Sequence, residues 1–280
     1  MKKYLIPMGV FAAMFLVSSF AYASQIVTQW EYKNSAVFTS WTETTGGTND
    51  VRRSADLRTL LWGATDDQNN QSYIQISAPV SGNNLVTGGA TQNVVSVTHQ
   101  NRSINAVYDT LTSALITATI EFSPFLPTNS PENFVFSSSI DFYFFETPNT
   151  YDHDNNPFTA EIPSPTRNDI FVLKDPNATF GSFVHDGFTY SYEFSGVGFS
   201  YIGQTWGDNY ADYISSNLPL GSEVGAPYVG WVTTEGLSNT ALFKVSITGT
   251  PNPVPEPSTV LLLGAGLLGL GAVARRRRAN

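Results

Sequence analysis

The chain contains no cysteine, so disulfides, thiolate catalysis and Cys-type zinc sites are excluded. Histidine is nearly as scarce. The three residues His99, His153 and His185 include no pair at helical metal-ligand spacing. There is no G-x-S-x-G, no H-E-x-x-H, no P-loop and no dinucleotide fingerprint. Basic side chains are few and unevenly placed. Six of the 14 Lys and Arg (Lys2, Lys3 and Arg275 to Arg278) lie in the terminal segments, leaving eight against 23 Asp and Glu, a net −15 for the rest. So acidic a body is repelled by phosphate backbones and anionic lipid head groups, which argues against nucleic acid as a partner. Cations, neutral glycans and basic proteins stay open. Long amphipathic helical patterns are also missing, although 103–113 and 210–217 have room for a short turn of helix each.

What is present begins with the two ends. Residues 1–23 have the layout of a Sec-type signal peptide: Lys2 and Lys3, an apolar stretch over 5–20, and the A-x-A cleavage site Ala21-Tyr22-Ala23. The mature chain is expected to begin at Ser24. At the other end, Val254-Pro255-Glu256-Pro257-Ser258 precedes an apolar run over 259–274 and the cluster Arg275, Arg276, Arg277, Arg278. As a helix that run is about 24 Å long, against a hydrocarbon core of about 30 Å. It is therefore expected to be a short transmembrane helix, helped by snorkelling arginines that stay cytoplasmic.

This order, Pro-Glu-Pro then a Gly/Leu-rich helix then arginines, resembles the PEP-CTERM sorting signal. The resemblance implies recognition of Pro255, Glu256 and Pro257 by a membrane enzyme, an exosortase. It also implies a Gram-negative type of envelope and an exopolysaccharide or biofilm setting, with transient anchoring in the inner membrane before the protein reaches the envelope or the exterior.

Between the ends, about 230 residues are 41% hydrophobic over the whole chain and rich in Thr, Ser, Asn and Gly, the palette of strands and turns. Strands are expected at 24–32, 36–42, 57–62, 72–77, 94–101, 114–122, 134–146, 170–173, 188–195, 228–233 and 241–248. The alternation Phe188-Thr-Tyr190-Ser-Tyr192-Glu-Phe194 is the clearest. Gly46-Gly47, 81–84, Gly88-Gly89, 155–157 and 225–227 read as turns. The pattern predicts an all-β domain over 24–249, a jelly-roll-like β-sandwich. A stiff linker with the sorting motif follows over 250–258, and the helix and basic tail occupy 259–280.

Three constellations could carry chemistry. On a strand, His99 and Asn101 share a face with Val95 and Val97, which predicts a buried histidine satisfied by a neighbour such as Asn101. Thr98, His99 and Asn101 also resemble the signature of the THxN family of PEP-CTERM proteins, a resemblance that implies no defined activity. Asp152, Asp154 and Asn156 have the alternating oxygen spacing of a calcium loop. Pro157 and Pro163 exclude an EF-hand. Asp66-Asp67 is a weaker candidate of the same kind. Paired carboxylates for glycoside hydrolysis would have to come from separate strands, with Glu121, Asp141, Glu146 and Glu193 as candidates. Trp206, Tyr210, Tyr213 and Trp231 are available to stack on sugars or to fill the core. The expectation is a non-enzymatic structural or glycan-binding module with no catalytic residues and no certain cofactor. The alternative is a carbohydrate-active enzyme on the same scaffold.

Overall fold

The computed structural model describes residues 25–64, 71–105, 107–147, 168–175, 180–206, 208–219, 222, 224–252 and 257–278. Along the chain run β1 (Gln29–Glu43), β2 (Arg52–Arg53), β3 (Thr59–Gly63), β4 (Gln71–Ile76), β5 (Val80–Val86), β6 (Gln92–Gln100) and β7 (Leu111–Leu126). They continue with β8 (Phe134–Phe145), β9 (Asn168–Leu173), β10 (Phe180–His185), β11 (Phe188–Val197) and β12 (Ser200–Tyr201). Two helices follow, α1 (Ile202–Trp206) and α2 (Asp208–Asn217), then β13 (Val229–Thr234), β14 (Ser238–Pro251) and the terminal helix α3 (Pro257–Arg278).

The strands form two antiparallel sheets of seven, in the orders β12-β13-β9-β8-β7-β1-β5 and β10-β11-β14-β6-β4-β3-β2. The period-two pattern explains how they face each other. Along β1 the alternate residues Trp30, Tyr32, Asn34, Ala36 and Phe38 are buried, and along β11 Tyr190 and Tyr192 meet them from the opposite sheet. The result is a β-sandwich with one apolar core between its layers. A second apolar cluster lies where α1 and α2 pack on β9 and β13, built from Ile170, Val172, Ile202, Tyr210, Ile214 and Val232.

Several expectations need correction. The two first strands are a single one, β1, because the polar break Lys33-Asn34-Ser35 is not a break. Asn34 is buried, donating from Nδ2 to Thr119 O (3.0 Å) and accepting from Val95 N (3.0 Å), so one amide ties β1 to both sheets. The turn-like run 81–84 lies within strand β5. There Gly82 sits under Tyr32, and a Cβ on it would come within 3.0 Å of the tyrosine ring. The described residues of 103–110 form no helix. Asp109 Oδ1 instead accepts from Gly47 N (3.0 Å) and Thr44 Oγ1 (3.2 Å), and these long-range bonds hold the segment extended into β7. The second expected helical turn is present as α2. Finally, β14 runs past the expected boundary at Gly249 to Pro251.

The register gives the sandwich two distinct ends. At one end stand the start of β1, the end of β7, the β10–β11 turn and the end of β14. The other end gathers the end of β6, the end of β8, the start of β9 and the β13–β14 turn. β14, with 14 residues, spans roughly 45 Å between them at about 3.4 Å per residue.

Candidate functional site

The second of these ends holds the densest polar chemistry in the core. On β6 the pleat turns Thr98 outward, where its hydroxyl lies 2.9 Å from that of Thr240 on β14. His99 turns inward and is completely buried, as is Asn101 just past the strand. The shared face expected for His99 and Asn101, with Val95 and Val97, is present.

Their roles differ. Asn101 clasps the β13–β14 turn: Nδ2 donates to Thr233 O (2.9 Å), its N–H donates to Leu237 O (3.0 Å), and its carbonyl accepts from Gly236 N (3.1 Å). Gly236 can follow because its φ is 77°. His99 is not satisfied by Asn101, contrary to expectation. Neither ring nitrogen has a hydrogen-bond partner among the described residues. Asp169 Oδ2 lies 3.7 Å from Nε2, beyond hydrogen-bond range. The ring is held instead by aromatics. It stacks on Trp62 (5.7 Å, 11°) and meets the edges of Phe171 (4.8 Å) and Phe144 (5.4 Å).

Asp169, the second residue of β9, is also completely buried, its Oδ1 accepting from Thr147 N at 3.1 Å. Glu146, at the end of β8, accepts from Trp62 Nε1 at 3.0 Å. Burial raises the Asp169 carboxyl well above the usual carboxylate range, the neighbouring Glu146 charge raises it further, and the Thr147 N–H opposes them. Glu235, from the β13–β14 turn, adds a smaller push in the same direction. Burial also lowers His99, to about 3. With His99 held at about 3 its ring is neutral near pH 7, so its close approach to Asp169 is not an ion pair. The influence reaches α2, where Tyr213 is raised first by burial and then by the charges of Asp169 and Glu146.

Glu146, singled out in the sequence, thus meets another acid, whereas Glu121 and Asp141 do not. They pair with Lys33 (3.8 Å) and Lys174 (2.9 Å) in partly exposed positions. Glu193 lines a groove with Ser182, Ser191, Ser246 and Thr248. Asp169 and Glu235 escaped the sequence reading. A charged residue opening the apolar run Asp169-Ile-Phe-Val-Leu was the available signal for the first. Trp231 and Tyr210 are buried, with Trp231 stacked on Phe171 at 4.2 Å, so neither offers a face to a sugar. Among the described residues no three His, Asp or Glu side chains converge to hold a metal ion. The calcium candidates Asp152, Asp154 and Asn156, the pair Asp66-Asp67 and the cleavage residues Ala21 and Ala23 lie outside the described residues.

At the chain's far end, Pro257 opens α3, and Arg275, Arg276, Arg277 and Arg278 close it, where cations complement the helix dipole. Pro255 and Glu256 lie outside the described residues. Residues 253–278 match the family model of the PEP-CTERM protein-sorting motif. The tail is a PEP-CTERM sorting signal. The motif implies export and processing by an exosortase in transit through the membrane. No helix among the described residues, α3 included, is long and apolar enough to cross a membrane by itself. No curated protein matches the chain.

Proposed function

We propose that the sandwich is a non-catalytic module displayed in the cell envelope or extracellular matrix by the PEP-CTERM tail, with a structural or glycan-binding role in an exopolysaccharide or biofilm setting. The observation that supports this most is the burial of Asp169 and His99. Asp169 and His99 are both fully enclosed behind Trp62 and Phe144, so no substrate reaches them as they stand. Thr98, His99 and Asn101 fit the THxN signature, and their contacts are those of a clasp and a core filler. The helix α3, not long and apolar enough to cross a membrane alone, would anchor the chain transiently with the help of its arginines.

Glycan contact, on this reading, falls on the groove of about 310 Å³ along β10, β11 and β14, where Ser182, Ser191, Ser246, Thr248 and Glu193 offer hydroxyls and one carboxylate. The purified body should be retained by exopolysaccharide from its own host and lose that retention when Glu193 and Ser246 are replaced by alanine. Equal retention of wild type and variant would remove the groove from the account.

A second reading, a carbohydrate-active enzyme, is supported by the single pairing of Glu146 with a raised Asp169 carboxyl. Release of reducing ends from host polysaccharide, abolished by Glu146→Gln, would establish it and overturn the proposal above.

A further inference from the structure

The sorting motif sits on a very short leash. β14 ends at Pro251, paired with Phe188 of β11. The next residue is pinned as well: Asn252 N–H donates to Gly187 O at 2.8 Å, and its Oδ1 accepts from Thr189 Oγ1 at 2.6 Å. Only four residues separate Asn252 from Pro257, the first residue of α3. Fully extended, that stretch spans at most about 18 Å, and Pro255 lies within about 11 Å of Asn252. A partner that grips the motif with an ordinary interface covers about 800 Å² of its target, a disc of roughly 16 Å radius. Such a disc, centred on the motif, overlaps the end of the sandwich.

At that end the outer rims of both sheets expose apolar side chains, Val86 and Leu126 on one and Val184 on the other. Val86 and Leu126 both stand opposite Gln29, on the two sides of β1, and are 44% and 42% exposed. Val184, opposite Thr189, is 60% exposed. The charges nearby are acidic: Asp186 in the β10–β11 turn, and Glu132, which holds His185 at 3.0 Å. Among the described residues the nearest cation along β1 is Lys33, four positions on and already near Glu121. An acidic and apolar rim without lysine or arginine is repelled by an anionic bilayer surface, and so favours a protein partner over lipid.

The geometry points to direct docking of this end, through Val86, Leu126, Val184 and the Asp186-Gly187 turn, onto the membrane enzyme that processes the tail. The inference rests on the sorting reading and goes beyond it: the folded body, and not the tail alone, is part of what the enzyme recognises. The enzyme face that receives it is apolar with a basic border.

The test uses the full chain in a host that carries its processing enzyme, following the conversion of precursor to processed mass over time. Val184→Lys with Leu126→Lys should slow processing roughly tenfold, since charge placed in an apolar contact is costly. The same charge at the far end, Leu237→Lys, should leave the rate unchanged. A flexible twelve-residue insert after Asn252 should also slow processing, because it uncouples body from motif. Thermal unfolding of each variant separates lost docking from lost folding. Processing at the wild-type rate by both the double lysine variant and the insert would overturn the docking. A chain whose processing ignores Glu256→Ala would instead overturn the sorting reading beneath it.

Discussion

The two ends of the sandwich are built on opposite principles. At the tail end, Trp30 is fully buried and meets Phe122, Phe134, Phe183, His185 and Tyr190, all edge-on at 4.8–6.5 Å. Its indole N–H donates to Thr87 Oγ1 at 3.1 Å, and Tyr190 OH accepts from Val27 N at 2.8 Å, so the polar atoms of both rings are satisfied. At the far end the aromatic shell of Trp62, Phe144 and Phe171 encloses His99 and Asp169, whose facing atoms have no hydrogen-bond partner among the described residues. One end gains stability from apolar burial. The other gives some of it back by enclosing ionisable groups. In one molecule, the core at the end nearest the sorting tail is built on apolar packing with satisfied polar atoms, and the core at the remote end encloses groups whose ionisation burial opposes.

The largest effect that would sharpen this contrast is loss of the indole. Trp30→Ala should cost about 4 kcal/mol in denaturant unfolding, by the same amount at pH 5 and pH 8. A strongly pH-dependent cost would erase the distinction.

His99 should give the next largest effect. Its folded-state value of about 3 lies below its unfolded value, so the unfolded chain takes up a proton that the folded chain refuses. Stability present above about pH 6.5 is therefore lost as pH falls, by about 2 kcal/mol at pH 5. His99→Phe should remove that component, so that wild type and variant diverge below pH 6.5. Parallel curves would show that His99 is protonated in the fold.

Asp169 acts in the other direction. Its raised carboxyl keeps a proton in the folded chain that the unfolded chain releases above about pH 4, so its cost grows as pH rises. Asp169→Asn retains the acceptor for Thr147 and should stabilise the fold more at pH 8 than at pH 4, relative to wild type. A loss of stability at pH 8 would mean that the carboxylate is ionised and needed there.

The smallest effect belongs to Thr98, whose partly exposed hydroxyl meets only Thr240 among the described residues. Thr98→Ala should change stability by no more than about 0.5 kcal/mol. A larger loss would make the motif's threonine part of the clasp.

Alternation in hydrophobicity revealed most strands, and it placed His99 and Asn101 on one inward face, because both are local properties of the chain. Asn34 shows the limit. As a polar residue in a polar triplet it looks like a break, yet its partners Thr119 and Val95 lie far along the chain. The acid cluster was hidden for the same reason. Glu146, Asp169 and Glu235 come from three strand ends that only the sheet order brings together. The tail was plain because its motif, apolar run and arginines follow one another directly in sequence.

β14 joins the two ends as one uninterrupted strand, and this gives it a mechanical role. Tension applied at Asn252 by an attached tail, against a grip on the body beyond Val197 of β11, runs along the axis of β14 and crosses to β11. The ladder from Phe188↔Pro251 to Val197↔Leu242 lies across that axis, so its bonds are loaded in shear and share the force instead of opening one by one. Pulled this way, the molecule should yield in a single high-force event, as a rope clamped along its length does.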